Sequence, residues 1–343
     1  MTTLVTGATG FVGSHVVQKL IAAGYSVRAL VRPGSNMRAL EGASIERVEG
    51  DLRDVVSIGR ATKGVRQVFH VAADYRLWAT NPREIYESNV EGTRHLFEAA
   101  AREGVERIVY TSTVATIAAP RHGRELPTEE TRATLGQMIG HYKRSKFLAE
   151  LEAIKAAGAG VPVVIVNPTT PVGPGDWKPT PTGRIIVDFL NGRMPAYVDT
   201  GLNIVNVEDV AAGHLLAAAK GRIGERYILG ARNMTLKQIL DALSKIAGRP
   251  SPWVRLPHAV ALAAGYAEEW LSRLKGREPR IPVEGVKMSR HRMFVESDKA
   301  QKELGYAPGP VEEGLERAVR WYKEQGYVLH RPRSKAIEHP QAA

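Results

Sequence analysis

Along the first two thirds of the chain, short β-branched apolar runs alternate with longer stretches whose apolar positions recur every three or four residues. That is the pattern of parallel strands joined by crossover helices. Strands are predicted at Thr3–Thr6, Ser26–Val31, Ile45–Glu49, Gln67–Val71, Arg107–Thr111 and Pro162–Val166. Helices are predicted near Phe11–Ala23, Ile85–Arg102 and His141–Ala156, the last followed by Gly158 and Gly160. The expected fold is α/β, a doubly wound parallel sheet. After Val166 the texture changes to a loop, Asn167 to Gly183, in which Pro168, Pro171, Pro174, Pro179 and Pro181 are expected to forbid regular helix. Mixed short elements then run to about Tyr327 and predict a smaller C-terminal α/β substrate lobe. The expected organisation is a cofactor-binding domain over 1–166, a substrate lobe over 167–327 with returns to the first domain, and a disordered tail over 328–343.

Composition narrows the class. The 343 residues are 43% hydrophobic and 24% charged, a globular balance. The absence of cysteine excludes disulfides, thiolate metal sites and cysteine nucleophiles, and no metal site is expected. Met1 leads directly into an apolar strand pattern with no basic or cleavage region, so export is not expected and a cytoplasmic location is. The apolar stretch around Ala259–Tyr266 stops at Glu268 and Glu269, short of the roughly 18 residues of a membrane span. Net charge is +11, and Lys275, Arg277, Arg280, Lys287, Arg290 and Arg292 crowd together. No nucleic-acid-binding signature accompanies them, so nucleic acid is not an expected partner. An anionic substrate group, peripheral contact with an anionic membrane and an ordinary solvated face remain open.

Thr6-Gly7-Ala8-Thr9-Gly10-Phe11-Val12-Gly13 follows a predicted strand and opens a predicted helix. In that context Gly7 serves a tight turn, Gly10 leaves room for a pyrophosphate and Gly13 lets helix and strand approach, with the helix N-terminus facing the phosphates. A plain strand-turn-helix uses glycines in the same way. Where the second strand ends, an acid would bind the ribose of NAD and an arginine the 2′-phosphate of NADP. The sequence there is Val31-Arg32-Pro33-Gly34 with no acid before Glu41. Arg32, assisted by Arg28 or Ser35, favours NADP(H) over NAD(H).

Tyr142 and Lys146 lie four apart on a predicted helix, one turn from each other on one face. An ammonium near a phenol lowers its pKa toward neutrality and equips it to pass a proton to or from a substrate oxygen. Upstream, Thr111-Ser112-Thr113 ends a predicted strand, and strand ends at that edge of a doubly wound sheet are where ligands bind.

The combination of Gly-x-x-Gly-x-x-Gly, a hydroxyl at a strand end and Tyr-x-x-x-Lys resembles the extended short-chain dehydrogenase/reductases, enzymes on a Rossmann fold that act on carbonyl or sugar substrates. The resemblance implies that Thr113, with Ser112 as its neighbour, holds the substrate oxygen beside Tyr142. It also implies that Phe11 and Val12 belong to the phosphate turn, that Asp51 and Leu52 meet the adenine, and that Val71, Ala72 and Ala73 form a cofactor-facing turn. Asn89 and Asn167 are implied at the substrate, Val166 and Asn167 along the nicotinamide, and Lys146 at its ribose. Within the family, His70–Trp78, His141–Phe147 and Pro179–Arg184 resemble bacterial hopanoid-associated sugar epimerases and dihydroflavonol 4-reductases. Where sugar-nucleotide epimerases place a diphosphate-binding arginine, this chain has Leu202. Carbonyl reduction is therefore ranked above epimerisation or dehydration, with non-catalytic dinucleotide binding as a third alternative. A homodimer is also an open expectation.

Overall fold

The computed structural model describes residues 2–117, 125–275, 279 and 282–329. Strands β1 (Thr2–Thr6), β2 (Ser26–Val31), β3 (Ile45–Glu49), β4 (Gln67–His70), β5 (Arg107–Thr111) and β6 (Val163–Pro168) come first. They are followed by β7 (Thr170–Val172), β8 (Ala196–Val198), β9 (Gly201–Asn206), β10 (Arg226–Leu229), β11 (Arg232–Thr235) and β12 (Val254–Leu256). Seven form one sheet in the order β10-β6-β5-β4-β1-β2-β3, every neighbouring pair parallel. Chain order reverses at β1, between β2 and β4, so a crevice opens beyond the carboxyl ends of β1 and β4.

Alternation along the strands feeds two cores. Val5, Val109 and Val166 pack on one face with residues of α1 (Phe11–Ala22) and α7 (Val207–Lys220). Their chain neighbours Leu4, Ile108 and Ile165 pack on the other with α2 (Val55–Thr62), α4 (Gly92–Arg102) and α5 (Gly140–Gly158). A strand covered on both faces reads as a continuous apolar run; Val163–Val166 is such a run and is wholly buried. Helix α2 has no counterpart among the sequence expectations. It is short, begins with the exposed Val55 and Val56, and is held by Asp54, whose carboxylate accepts from the amides of Val56 and Ser57. Before α4, α3 (Arg83–Tyr86) runs into a π-helical turn, Glu87–Glu91.

The second lobe joins β11, β9 and β7 in one small sheet and β12 with β8 in another. Helices α6 (Pro181–Leu190), α8 (Leu236–Ala247) and α11 (Val311–Glu324) pack around Ile186, Phe189, Leu240 and Leu315. The remaining helices are α9 (His258–Leu274) and α10 (Val283–Met288). The proline-rich stretch is more ordered than expected. Pro181 sits in the first turn of α6, where a missing amide costs nothing, and Thr180 caps that turn by accepting from Gly183 N at 3.2 Å. Pro171 lies in β7, an edge strand. Of the expected tail, 328 and 329 are described, and Leu329 N donates to Asn191 Oδ1 at 2.8 Å; 330–343 lies outside the described residues.

Two histidines are sealed into this framework as neutral rings. Thr93 Oγ1 donates to Asn89 O (2.6 Å), so it accepts from His70 Nε2 (2.9 Å). His70 Nδ1 then accepts from Thr6 Oγ1 at 2.7 Å, and Thr6 in turn accepts from Ala72 N. On α7, His214 Nδ1 donates to Val210 O (2.7 Å) and Nε2 accepts from Thr111 Oγ1 (2.9 Å). Burial pulls His70 down to about 3 and His214 down to about 4. Both folded values lie below the unfolded one near 6.5, so the native state binds fewer protons in acid. Their contribution is complete above about pH 6.5 and is lost as pH falls toward those values, at up to about 1.4 kcal/mol per pH unit for each ring. Urea denaturation should show a stability plateau above pH 7 and a decline already between pH 6.5 and 5, above the carboxylate range. A flat midpoint over that interval would contradict the assignment.

Candidate active site

At the crevice, the turn from β1 to α1 is built on close backbone approach. Gly7 has φ +68°, and a Cβ there would lie 2.6 Å from the backbone of Ala72. A Cβ on Gly13 would lie 2.0 Å from Gly7 O, and Gly10 N donates to that carbonyl at 2.9 Å. Helix α1 begins at Phe11 and Val12 with Gly10 as its cap, no side-chain acceptor and no acid in its first turn. Its N-terminal amides and partial positive charge are thus left for an anion. The cradle fits the pyrophosphate of a dinucleotide.

Around it, Arg32 is exposed just past β2, close enough to Asp51 to help lower that carboxylate's pKa. The larger cause is Arg53, which grips Asp51 through hydrogen bonds of 2.9 and 3.0 Å. Arg28 does not assist Arg32, since its guanidinium is paired with Glu46 at 2.9 Å and donates to the carbonyls of Ala61 and Lys63. Leu52 is buried against α4, where a Cβ on Gly92 would meet its side chain at 2.7 Å.

The reactive end is assembled by β5 and the first turns of α5. Thr113 follows β5 and caps a short turn by accepting from Ala115 N at 3.2 Å. Burial holds the Tyr142 phenol above its ordinary value, opposed only in part by the Thr113 side chain. Lys146 is buried, its Nζ donating to Thr111 O at 2.7 Å and to Tyr110 Oη at 3.0 Å. Burial brings Lys146 down to about 7, opposed by the Glu150 carboxylate. The expected lowering of Tyr142 by Lys146 is not what this geometry produces, because two of the three ammonium hydrogens turn to β5 and burial raises the phenol. Beside them, Ser112 Oγ is buried without a partner among the described residues, a polar group that a bound ligand can satisfy.

Three implied contacts sit behind the site. Val166 is wholly buried and its carbonyl accepts from Ser112 N at 2.8 Å. Asn167 is wholly buried too; its Nδ2 donates to Thr113 O (3.1 Å), Thr116 Oγ1 (3.3 Å) and Glu150 Oε2 (2.8 Å). Asn89, in the π-turn, accepts from Asp74 N (2.7 Å) and donates to Asp74 O and Ser145 Oγ, both at 2.9 Å. Ser145 continues to Tyr142 O at 2.8 Å. The side-chain amide hydrogens of Asn89 and Asn167 are spent on these partners, whereas Asn167 Oδ1 is buried with no partner among the described residues and can still accept from a ligand.

Sequence reasoning missed Tyr110, Glu150 and Glu284. Glu150 carried a signal, lying four residues beyond Lys146 on the same helix. Its carboxylate accepts from Thr116 Oγ1 (2.9 Å) and Asn167, and pairs with Arg226 of β10 at 3.2 Å. Glu284 carried none, arriving from α10 to accept from His141 N at 3.4 Å, at the N-terminus of α5. Gly140 makes room for it, with φ +81° and a virtual Cβ 2.1 Å from Glu284 Oε2.

Comparison with known proteins agrees with this arrangement. The model of the family described as "NAD dependent epimerase/dehydratase family" matches residues 3–230. A putative dihydroflavonol 4-reductase of Synechocystis sp. is 46% identical over 94% of this chain and 95% of its own length. Sterol demethylase protein B of Methylococcus capsulatus is 36% identical over 96% of this chain and 100% of its own. The crystal structure of gox2253, 47% identical, superposes with a TM-score of 0.85 over 96% of this chain and 99% of that one. Glycine turn, strand-end hydroxyl and Tyr-Lys pair stand on a seven-stranded parallel sheet matched almost end to end, and the chain belongs to the NAD dependent epimerase/dehydratase family, the extended short-chain dehydrogenase/reductases.

Proposed function

We propose that the chain is an NADP-dependent carbonyl reductase, with Thr113 and Tyr142 holding the carbonyl oxygen. The observation that carries the reading is the convergence, at the carboxyl end of β5, of Thr113, which caps the turn there, the Tyr142 phenol that its side chain influences, and a buried Lys146 anchored to Thr111 O at 2.7 Å. A dinucleotide held by the glycine turn would supply the hydride for the carbonyl carbon. Tyr142 gives its phenolic proton to the oxygen, which stays bonded to its carbon as the alcohol of the product, and Thr113 fixes the oxygen within reach of that proton. Lys146, titrating near neutrality and anchored to Thr111 O and Tyr110 Oη, would use its remaining hydrogen on the nicotinamide ribose.

Net reduction is favoured over epimerisation by Leu202. It lies in β9 opposite Met234, bridges to Met293 and packs against the second-lobe core, offering nothing to a sugar diphosphate. The names of two relatives, a putative dihydroflavonol 4-reductase and a sterol demethylase protein, support reduction and a polycyclic substrate, in keeping with a link to hopanoid metabolism. Sugar epimerisation or dehydration is the second reading, favoured by the family's own description.

Tyr142→Phe keeps the ring and deletes the proton. Turnover of a panel of cyclic and polycyclic ketones with NADPH should fall by about 10²-fold or more while dinucleotide binding, read by fluorescence titration, persists. Unchanged turnover removes Tyr142 from the mechanism, and inversion of a sugar centre without net NADPH loss establishes the second reading.

Arg32→Ala should weaken NADPH binding by about tenfold or more, the value of one charge-assisted hydrogen bond, and leave NADH binding unaltered. Equal losses for both cofactors would detach Arg32 from the 2′-phosphate. Glu150→Gln retains shape but strands Arg226 in a partly buried position, so unfolding free energy in urea should drop by about 3 kcal/mol or more. A loss under about 1 kcal/mol would mean that the pair behaves like an exposed one.

A further inference from the structure

Helix α9 is amphipathic in the wrong sense for a helix that only packs on its own lobe. Its exposed residues include Ala259, Val260, Ala263, Tyr266, Trp270 and Leu274, whereas Gly265 and Ser272 are buried and Glu269 is half-buried. At about 100° per residue the exposed apolar side chains fall in one continuous arc of roughly 160°. Trp270 is 62% exposed and Leu274 68%, and just upstream Trp253 stands 84% exposed. Exposed tryptophan and leucine gathered on one helical face mark an interaction surface.

Charge selects the partner. Arg273 borders the arc on one side and Lys275, at the helix end, on the other. Lys287 of the adjoining α10 lies 5.6 Å over the Tyr266 ring, and no ion pair among the described residues engages Arg273, Lys275, Lys287 or Arg290. A second copy laid on this face would bring these cations against their own equivalents, whereas an anionic lipid surface takes the apolar arc into its acyl boundary and the cations at its headgroups. No helix among the described residues is long and apolar enough to cross a membrane, so the helix lies in the interface. Its inner side is tied to the active site: Glu269 accepts from Val283 N at 2.8 Å, and the next residue, Glu284, reaches the first turn of α5 beside Tyr142.

We propose that α9 is an in-plane docking helix that seats the protein on an anionic bilayer, with Trp270 and Leu274 inserted and Arg273, Lys275 and Lys287 at the headgroups. Of the basic cluster read from the sequence, Arg277 and Arg280 lie outside the described residues, and Arg292 is instead paired with Asp199 at 3.1 Å.

The proposal goes beyond the carbonyl-reductase reading and is tested without turnover. The full chain is floated with vesicles of phosphatidylcholine alone or mixed with phosphatidylglycerol, at low and high salt. Binding is expected to the mixed vesicles and to weaken with salt. Trp270→Glu combined with Leu274→Glu should reduce the bound fraction about tenfold or more, and Lys275→Ala about fivefold. Both changes fall on exposed side chains, and an unaltered urea midpoint verifies that the fold survives. Equal partition onto neutral and mixed vesicles, or a double variant that binds as well as the parent, overturns the proposal. So does sedimentation showing a dimer that the double variant dissolves, which makes α9 a contact between copies.

Discussion

The buried ammonium of Lys146 is the constraint on which the catalytic end of the molecule rests. A cation taken out of water is costly unless oxygens replace the lost hydration, and here Thr111 O and Tyr110 Oη do so from the last two residues of β5. Glu150, one turn further along α5, supplies the compensating charge and is itself held by Thr116, Asn167 and Arg226. Those partners come from the segment after β5, from β6 and from β10. Both charges are satisfied only when three adjacent strands and α5 are all in place, so a sliding of the helix by one turn would strand a cation and a carboxylate together. The position of Tyr142 follows from this, since it shares the helix with Lys146.

The same logic operates one strand away, with neutral groups. His70 joins β4 to Thr6 at the end of β1 and to Thr93 on α4, and Thr6 also receives Ala72 N, against whose backbone Gly7 is pressed. The phosphate cradle is thereby hung from a ring whose tautomer is fixed by its neighbours. Asn89 ties the strap carrying Asp74 to Ser145 and so to Tyr142. The glycine turn and Tyr142 are braced by separate buried polar networks that meet where Thr93 of α4 donates to Asn89 O in the π-turn before it.

Much of the fold was legible because it is written in local alternation. The first five predicted strands match β1 to β5 to within a residue, and the glycine turn is legible from its position between strand and helix. Legibility failed where a residue's role is set by a distant partner. Arg28 looks free in sequence and is taken by Glu46 and two carbonyls; Asn167 looks like the start of a binding loop and is a strut beneath Thr113. Pro181 looks like a helix breaker and begins a helix, because proline's meaning depends on which turn it occupies. Glu284 stands 143 residues from His141, whose amide it receives, and no spacing rule spans that distance.

The return of β10 to the edge of the large sheet bears on how the protein is made. The ribosome releases β6 with Val163–Val166 ready to pair, yet the strand that covers its outer edge, Arg226–Leu229, follows only after the second lobe's first sheet strands have been threaded. At about 5–20 residues per second the intervening segment takes on the order of several seconds to emerge. For that time an apolar edge with open amides and carbonyls is exposed to other nascent chains. The pairing of Glu150 with Arg226 is delayed by the same interval. Shielding of β6 during translation, by a holding chaperone or by transient cover from α7, is thus a requirement imposed by chain order alone, independent of how stable the finished molecule is.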